Sequence, residues 1–167
     1  VPGRDYPQPG GLLAPHALGY LTKATAGDVE KGVITDQDLV GQAGLEREYD
    51  AELRGTPGRR VVAIDPRGIV TGTVSSVDPE AGADLVTHLD ARVQSAAEDA
   101  LAAAVQAARR HGWAADAAAA AVLDVRDGGV VAMASYPAYD PRVWTGGISV
   151  RQYAALTDPK AGTPLLD

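Results

Sequence analysis

The chain has 167 residues, 46% apolar and 22% charged, with a formal net charge of −7 and no cysteine. That composition suits one domain or two small ones around a packed core. It excludes disulfides and thiolate metal sites and, with no basic stripe, argues against a nucleic-acid partner.

In chain order, residues 1–20 read as loop and extended chain, because Pro2, Pro7, Pro9 and Pro15 interrupt any long helix. Thr35-Asp36 offers a helix cap. A helix is expected over 44–53, with Leu45, Tyr49 and Leu53 four apart on one stripe. Gly55, Pro57 and Gly58 end it. Two β-runs follow, 60–64 and 69–74, joined by Asp65-Pro66-Arg67-Gly68, a turn sequence that predicts a hairpin. Asp78-Pro79-Glu80-Ala81-Gly82 is the expected boundary, dividing the chain into 1–79 and 80–167.

Residues 85–89 read as a strand. Asp90 then caps a long helix to His111, with Val93, Ala97, Leu101, Val105 and Ala108 as the buried stripe and Gly112 as the stop. Residues 117–125 and 130–135 read as paired strands across Arg126-Asp127-Gly128-Gly129. A short helix is expected over 150–156. The predicted fold class is α+β.

Catalytic constellations are missing from these residues. Ser75, Ser76, Ser95, Ser135 and Ser149 each lack a lysine three positions on, and there is no G-x-S-x-G elbow. His16, His88 and His111 are too scattered for metal-ligand spacing. No cofactor and no metal are expected. The longest uncharged apolar run, Ala117 to Leu123, is far short of the roughly 18–20 residues a membrane span needs.

Several ordered segments carry a resemblance. Arg4, Tyr6 and Pro7 are followed by Gly10 and by His16-Ala17-Leu18-Gly19-Tyr20. Gly41, Gly44, Glu46, Asp50, Leu53, Gly55 and Gly58 spell G-x-x-G-x-E-x-x-x-D-x-x-L-x-G-x-x-G. Gly82 to Thr87 leads to Asp90 and Gln94, and Val122-Leu123-Asp124 runs through Gly129 to Ala132-Met133-Ala134-Ser135-Tyr136-Pro137. Together these resemble the N-terminal part of class B penicillin-binding proteins. The chain departs from the pattern at Asp127-Gly128-Gly129, where Thr-Gly-Glu is common, and at Arg142, where Asn is usual.

The resemblance implies a small pedestal, or dimerisation, module with a β-hairpin and a helix. An incomplete antiparallel-sheet-plus-helix portion of a transpeptidase domain would follow. It implies a parent that is a serine-type D,D-transpeptidase crosslinking peptidoglycan and binding penicillin, extracytoplasmic and tethered by an anchor upstream of Val1. The S-x-x-K, S-x-N and K-[ST]-G motifs of that chemistry are not among these residues, so no catalytic residue carries over and the chain reads as non-catalytic. The implied structural residues are Arg4, Tyr6, Pro7, Gly41, Gly44, Glu46, Asp50, Leu53, Gly55, Gly58, Thr87, Asp90 and Gln94, with Arg4 and Glu46 expected to clamp the N-terminal segment as an ion pair. Expected partners are the rest of the transpeptidase domain, a SEDS-type glycosyltransferase or other cell-wall synthesis protein, and a second copy through the uncovered 117–135 hairpin. Two other readings are a stand-alone extracytoplasmic interaction or dimerisation protein and an unrelated carboxylate hydrolase.

Overall fold

The computed structural model describes residues 14–30, 35, 38–144 and 146–165. Its architecture is α+β, built from short helices, one long helix and three separate two-stranded antiparallel sheets among the described residues. The chain divides into two compact units, one of residues 1–48 with 87–167 and the other of residues 49–86.

The first described element of the first unit is a one-turn helix, α1 (Pro15–Leu18), where the sequence predicted loop and extended chain. Proline is tolerated there because the first turn of a helix needs no N–H from it. Strand β1 (Leu21–Lys23) pairs with β2 (Leu39–Gly41), Leu21 opposite Gly41. Three-residue strands are too short to show a period-two pattern, and neither was expected. Between them lies α2 (Ala26–Glu30), whose entry is fixed by Thr25 and Asp28 bonding each other's backbone N–H. The expected helix over 44–53 is instead two pieces, α3 (Gly44–Glu48) and α4 (Asp50–Arg54), interrupted at Tyr49 with φ −109° and ψ 22°.

The long helix, α5 (Ala91–Arg110), starts where the sequence placed it. The Asp90 carboxylate accepts the N–H groups of Arg92 and Val93, and the helix gives way to Gly112 at φ 79°. Its inward stripe differs from the expectation by one position. Val93 is 36% exposed and Gln94 is buried in its place, ahead of Val105. The predicted strand over 85–89 is irregular chain. β5 (Ala118–Leu123) and β6 (Val130–Tyr136) form the expected hairpin. Ala132 and Ala134 are buried beneath α5, and small side chains there let helix and sheet approach closely. A 3₁₀ turn over Pro141–Trp144 and the helix α6 (Val150–Leu156), with a Ser149–Gln152 capping box, follow.

The second unit holds α4 and the hairpin of β3 (Arg59–Ile64) and β4 (Val70–Val77). Asp65 shapes the hairpin tip, its carboxylate accepting the N–H groups of Arg67 and Ile69 while Gly68 adopts φ 81°. The base is closed by two bonds between Thr56 and Glu80 and by Ala83 N–H donating to the Glu52 carbonyl at 2.8 Å. Every residue of β3 and β4 is exposed.

Candidate functional site

The most connected group of polar side chains lies in the first unit and joins α5, β6 and the segment around α1. Gln94 is its centre, 1% exposed. Its Nε2 donates to the Met133 carbonyl at 2.8 Å and its Oε1 accepts the Met133 N–H at 2.8 Å. The side-chain amide therefore bonds β6 as a neighbouring strand would. Nε2 also donates to Glu98 Oε1 at 2.7 Å, one helical turn on, and the same oxygen accepts the Ala14 N–H at 2.6 Å. A single carboxylate oxygen thus links residue 14 to the edge of β6 through one side chain. Ala14 is buried and left-handed, at φ 49° and ψ 46°, a conformation that costs an alanine about 1–2 kcal/mol.

Beside this node, Tyr139 is buried and its hydroxyl donates to the Pro15 carbonyl at 3.0 Å. His16 Nε2 lies 2.7 Å from the Pro164 carbonyl. A carbonyl only accepts, so Nε2 carries the proton, and Nδ1 is buried without a partner. The His16 ring meets Tyr139 edge-on at 5.0 Å, and Tyr20 stacks on Trp144 at 4.1 Å and 7°. Burial, with the nearby Tyr153 second, raises the Tyr20 hydroxyl above its ordinary pKa. These aromatic residues pack against one another, and Tyr139 and Trp144 are too buried to present a carbohydrate-binding face.

Of the residues singled out from sequence, Arg4, Tyr6 and Pro7 lie outside the described residues. A side chain at Gly41 would strike the Glu46 carbonyl, and one at Gly44, which has φ 56°, would meet the Ala17 carbonyl. Gly19 has the reciprocal relation with the Ala43 carbonyl. α1, β2 and α3 therefore touch through bare backbone. Glu46 sits in the first turn of α3. Within the second unit, Asp50 pairs with Arg54 along α4. Gly55, at φ 68°, approaches the backbone of 80–82, Gly58 abuts Pro79, and the Leu53 carbonyl lies where a side chain on Gly82 would be. Thr87 is exposed in irregular chain.

Asp90 and Gln94 come together at the edge of β6, since Asp90 N–H also donates to the Val131 carbonyl at 2.9 Å. The Asp90 carboxyl is held below its ordinary pKa by the Val93 and Arg92 N–H groups. Sequence reasoning missed Ala14, Glu98 and the Tyr139 hydroxyl. The four-residue spacing of Gln94 and Glu98 was the available signal for one of them.

The node is built to hold backbone in place. No described Ser has a basic partner, and no three described His, Asp or Glu gather as a metal site. No helix among the described residues is long and apolar enough to cross a membrane.

The comparisons with known proteins agree on one relationship. The family described as "Penicillin-binding Protein dimerisation domain" matches residues 1–87. The chain is 35% identical over 172 residues to the peptidoglycan D,D-transpeptidase MrdA of Escherichia coli, covering 98% of this chain and 25% of that protein. It is 33% identical to the probable peptidoglycan D,D-transpeptidase PenA of Neisseria meningitidis, covering 93% and 24%. Among solved structures, the Helicobacter pylori penicillin-binding protein PBP2 in complex with MreC superposes with a TM-score of 0.72 at 28% identity, covering 92% of this chain and 26% of that one. A chain of a peptidoglycan synthase complex that coordinates polymerisation and crosslinking gives 0.66 at 36% identity, covering 79% and 24%. The chain thus spans about a quarter of the length of the curated relatives it matches.

Proposed function

We propose, from the premise that this chain belongs to the penicillin-binding protein dimerisation-domain family, that it is the non-catalytic N-terminal scaffold of a class B penicillin-binding protein. The longer protein would be a serine-type D,D-transpeptidase that crosslinks peptidoglycan outside the cytoplasm, tethered to the cell membrane. The observation that carries this reading is the alignment itself. Nearly the whole chain matches, in order, a quarter of proteins named as D,D-transpeptidases, and the S-x-x-K and K-[ST]-G motifs are absent from the matched residues.

On this reading residues 1–79 belong to the pedestal and 80–167 begin the transpeptidase domain. The Gln94 node gives the scaffold a physical means of holding its sheet, because it ties β6 to the segment at residue 14. Partners would be the remaining transpeptidase domain and a cell-wall synthesis protein such as a SEDS-type glycosyltransferase. The relatives' assemblies, with MreC and in a synthase complex, support partners of that kind. A clamp between Arg4 and Glu46 is part of the proposal. A double-mutant cycle with Arg4→Lys and Glu46→Gln measures it, and strictly additive losses would remove it.

The test is direct. A fluorescent penicillin should leave the purified 167 residues unlabelled and label the longer protein, and the 167 residues should compete with the longer protein for the glycosyltransferase. Covalent labelling of the short chain would sink the reading. A second reading, a stand-alone interaction protein that associates with itself, is favoured by one feature, the open hairpin of β5 and β6.

A further inference from the structure

We infer that the turn leaving α5, residues 110–116, binds an acidic glycan strand, with Trp113 as the platform on which a sugar ring stacks. The inference rests on the preceding reading and deepens it, by giving the peptidoglycan on which the longer protein acts a point of attachment outside the reacting centre.

The chain has two tryptophans, and they are placed differently. Trp144 is 9% exposed and stacked against Tyr20. Trp113 is 70% exposed, so its large apolar ring is left in water. It does not stand on a loose loop. Trp113 N–H donates to the Ala108 carbonyl at 3.1 Å and Gly112 N–H to the Arg109 carbonyl at 3.0 Å, which closes the helix as a Schellman motif with Gly112 at φ 79°. Arg109 then crosses the turn. Its Nε donates to the Ala115 carbonyl at 2.8 Å, and its guanidinium lies 3.9 Å from Asp116. The indole is held out on a fixed backbone, which lowers the ordering cost of binding.

The surroundings of Trp113 select the ligand. His111 flanks the indole, with ring centroids 5.8 Å apart and planes tilted by 36°. Ala114 and Ala115 are too small to screen it. Arg110 is exposed, and the Asp116 side chain is 88% exposed. A protein hot spot needs an apolar surround that excludes water, whereas this rim is charged and wet. It suits a pyranose. The C–H groups on one face of a sugar ring carry partial positive charge and lie on the electron-rich face of an indole. Hydroxyls at the ring edge can donate to Asp116 and accept from Arg110. The Arg110 guanidinium also favours a strand that carries carboxylates. Nor does the exposure of this turn depend on an unpaired strand. Further strands pair along the edges of the β5–β6 ladder, and the turn lies beyond Ala118–Tyr136, the pair that ends it.

Intrinsic fluorescence reports on the site, because the other tryptophan is buried. Titrating the 167-residue chain with soluble, uncrosslinked peptidoglycan strands should shift the Trp113 emission and its indole N–H resonance saturably. Neutral chitotetraose should bind more weakly. Trp113→Ala should weaken strand binding at least about tenfold with helix content unchanged, and Trp113→Phe should restore part of it. Arg110→Gln should cost about threefold toward the strands and nothing toward chitotetraose. In the longer protein, with the reacting centre already blocked by penicillin, Trp113→Ala should lower co-sedimentation with insoluble peptidoglycan. No saturable shift, strand binding indifferent to Trp113→Ala, equal binding of chitotetraose, or a longer protein whose retention ignores Trp113 each overturns the inference. None of these touches the scaffold reading, which falls only with penicillin labelling of the short chain or failure to compete for the glycosyltransferase.

Discussion

Single side chains hold disproportionate responsibility in this protein, and Gln94 holds the most. Replacing it with Leu keeps the volume but strands the Met133 N–H and C=O beneath α5, so chemical denaturation should show a loss of about 2–4 kcal/mol. Ala14 gives the opposite sign. Its left-handed backbone at φ 49° favours glycine, and Ala14→Gly should raise stability by about 1 kcal/mol, measured the same way. Asp90, Asp124 and Asp140 titrate below their ordinary range, the first through backbone N–H groups and the others through the Arg126 and Arg142 guanidinium groups. Their stabilisation is complete above about pH 4 and is lost as pH falls through the lower folded values. Asp140→Asn should flatten that acid dependence in a urea titration repeated across pH. Asp90 was legible in the sequence as a helix cap because a cap has a fixed position. Ala14 and Glu98 were not, since their bond joins residues 84 apart in sequence.

Among the elements, the ones read correctly are those whose rules are local. The cap and stop of α5, the turn of the β3–β4 hairpin and the span of α6 are all decided within a few residues. Those misread depend on distant neighbours. β1 and β2 are strands only because they pair across an intervening helix, and the expected 44–53 helix breaks at Tyr49 in spite of its apolar stripe. Residues 85–89 include the β-branched Val86 and Thr87 but have no strand partner among the described residues. Glycines separate the same two kinds of cause. Gly68, at φ 81°, has open space around it, so Gly68→Ala should cost only about 1 kcal/mol. Gly44→Ala adds a collision with the Ala17 carbonyl to a positive φ, and thermal unfolding should show a loss of about 2–4 kcal/mol.

For the molecule as a whole, stability is unevenly distributed. No side chain of β3 or β4 is buried, whereas α5 and β6 share the core. Native-state amide exchange should therefore be at least about tenfold faster in the β3–β4 hairpin than in the middle of α5. The family was legible because its motifs run the length of the chain; the hydrogen-bonded node was not, because it draws on three separate stretches. One recurrent sequence detail has a wider effect. Asp65, Asp90, Asp124 and Asp140 each hold the arginine two residues later. These forks neutralise charge inside single turns, and apart from His88 with Asp127 no ion pair between described residues reaches far along the chain. Among the described residues, the ion pairs therefore make the internal architecture depend little on the ionic strength of the medium.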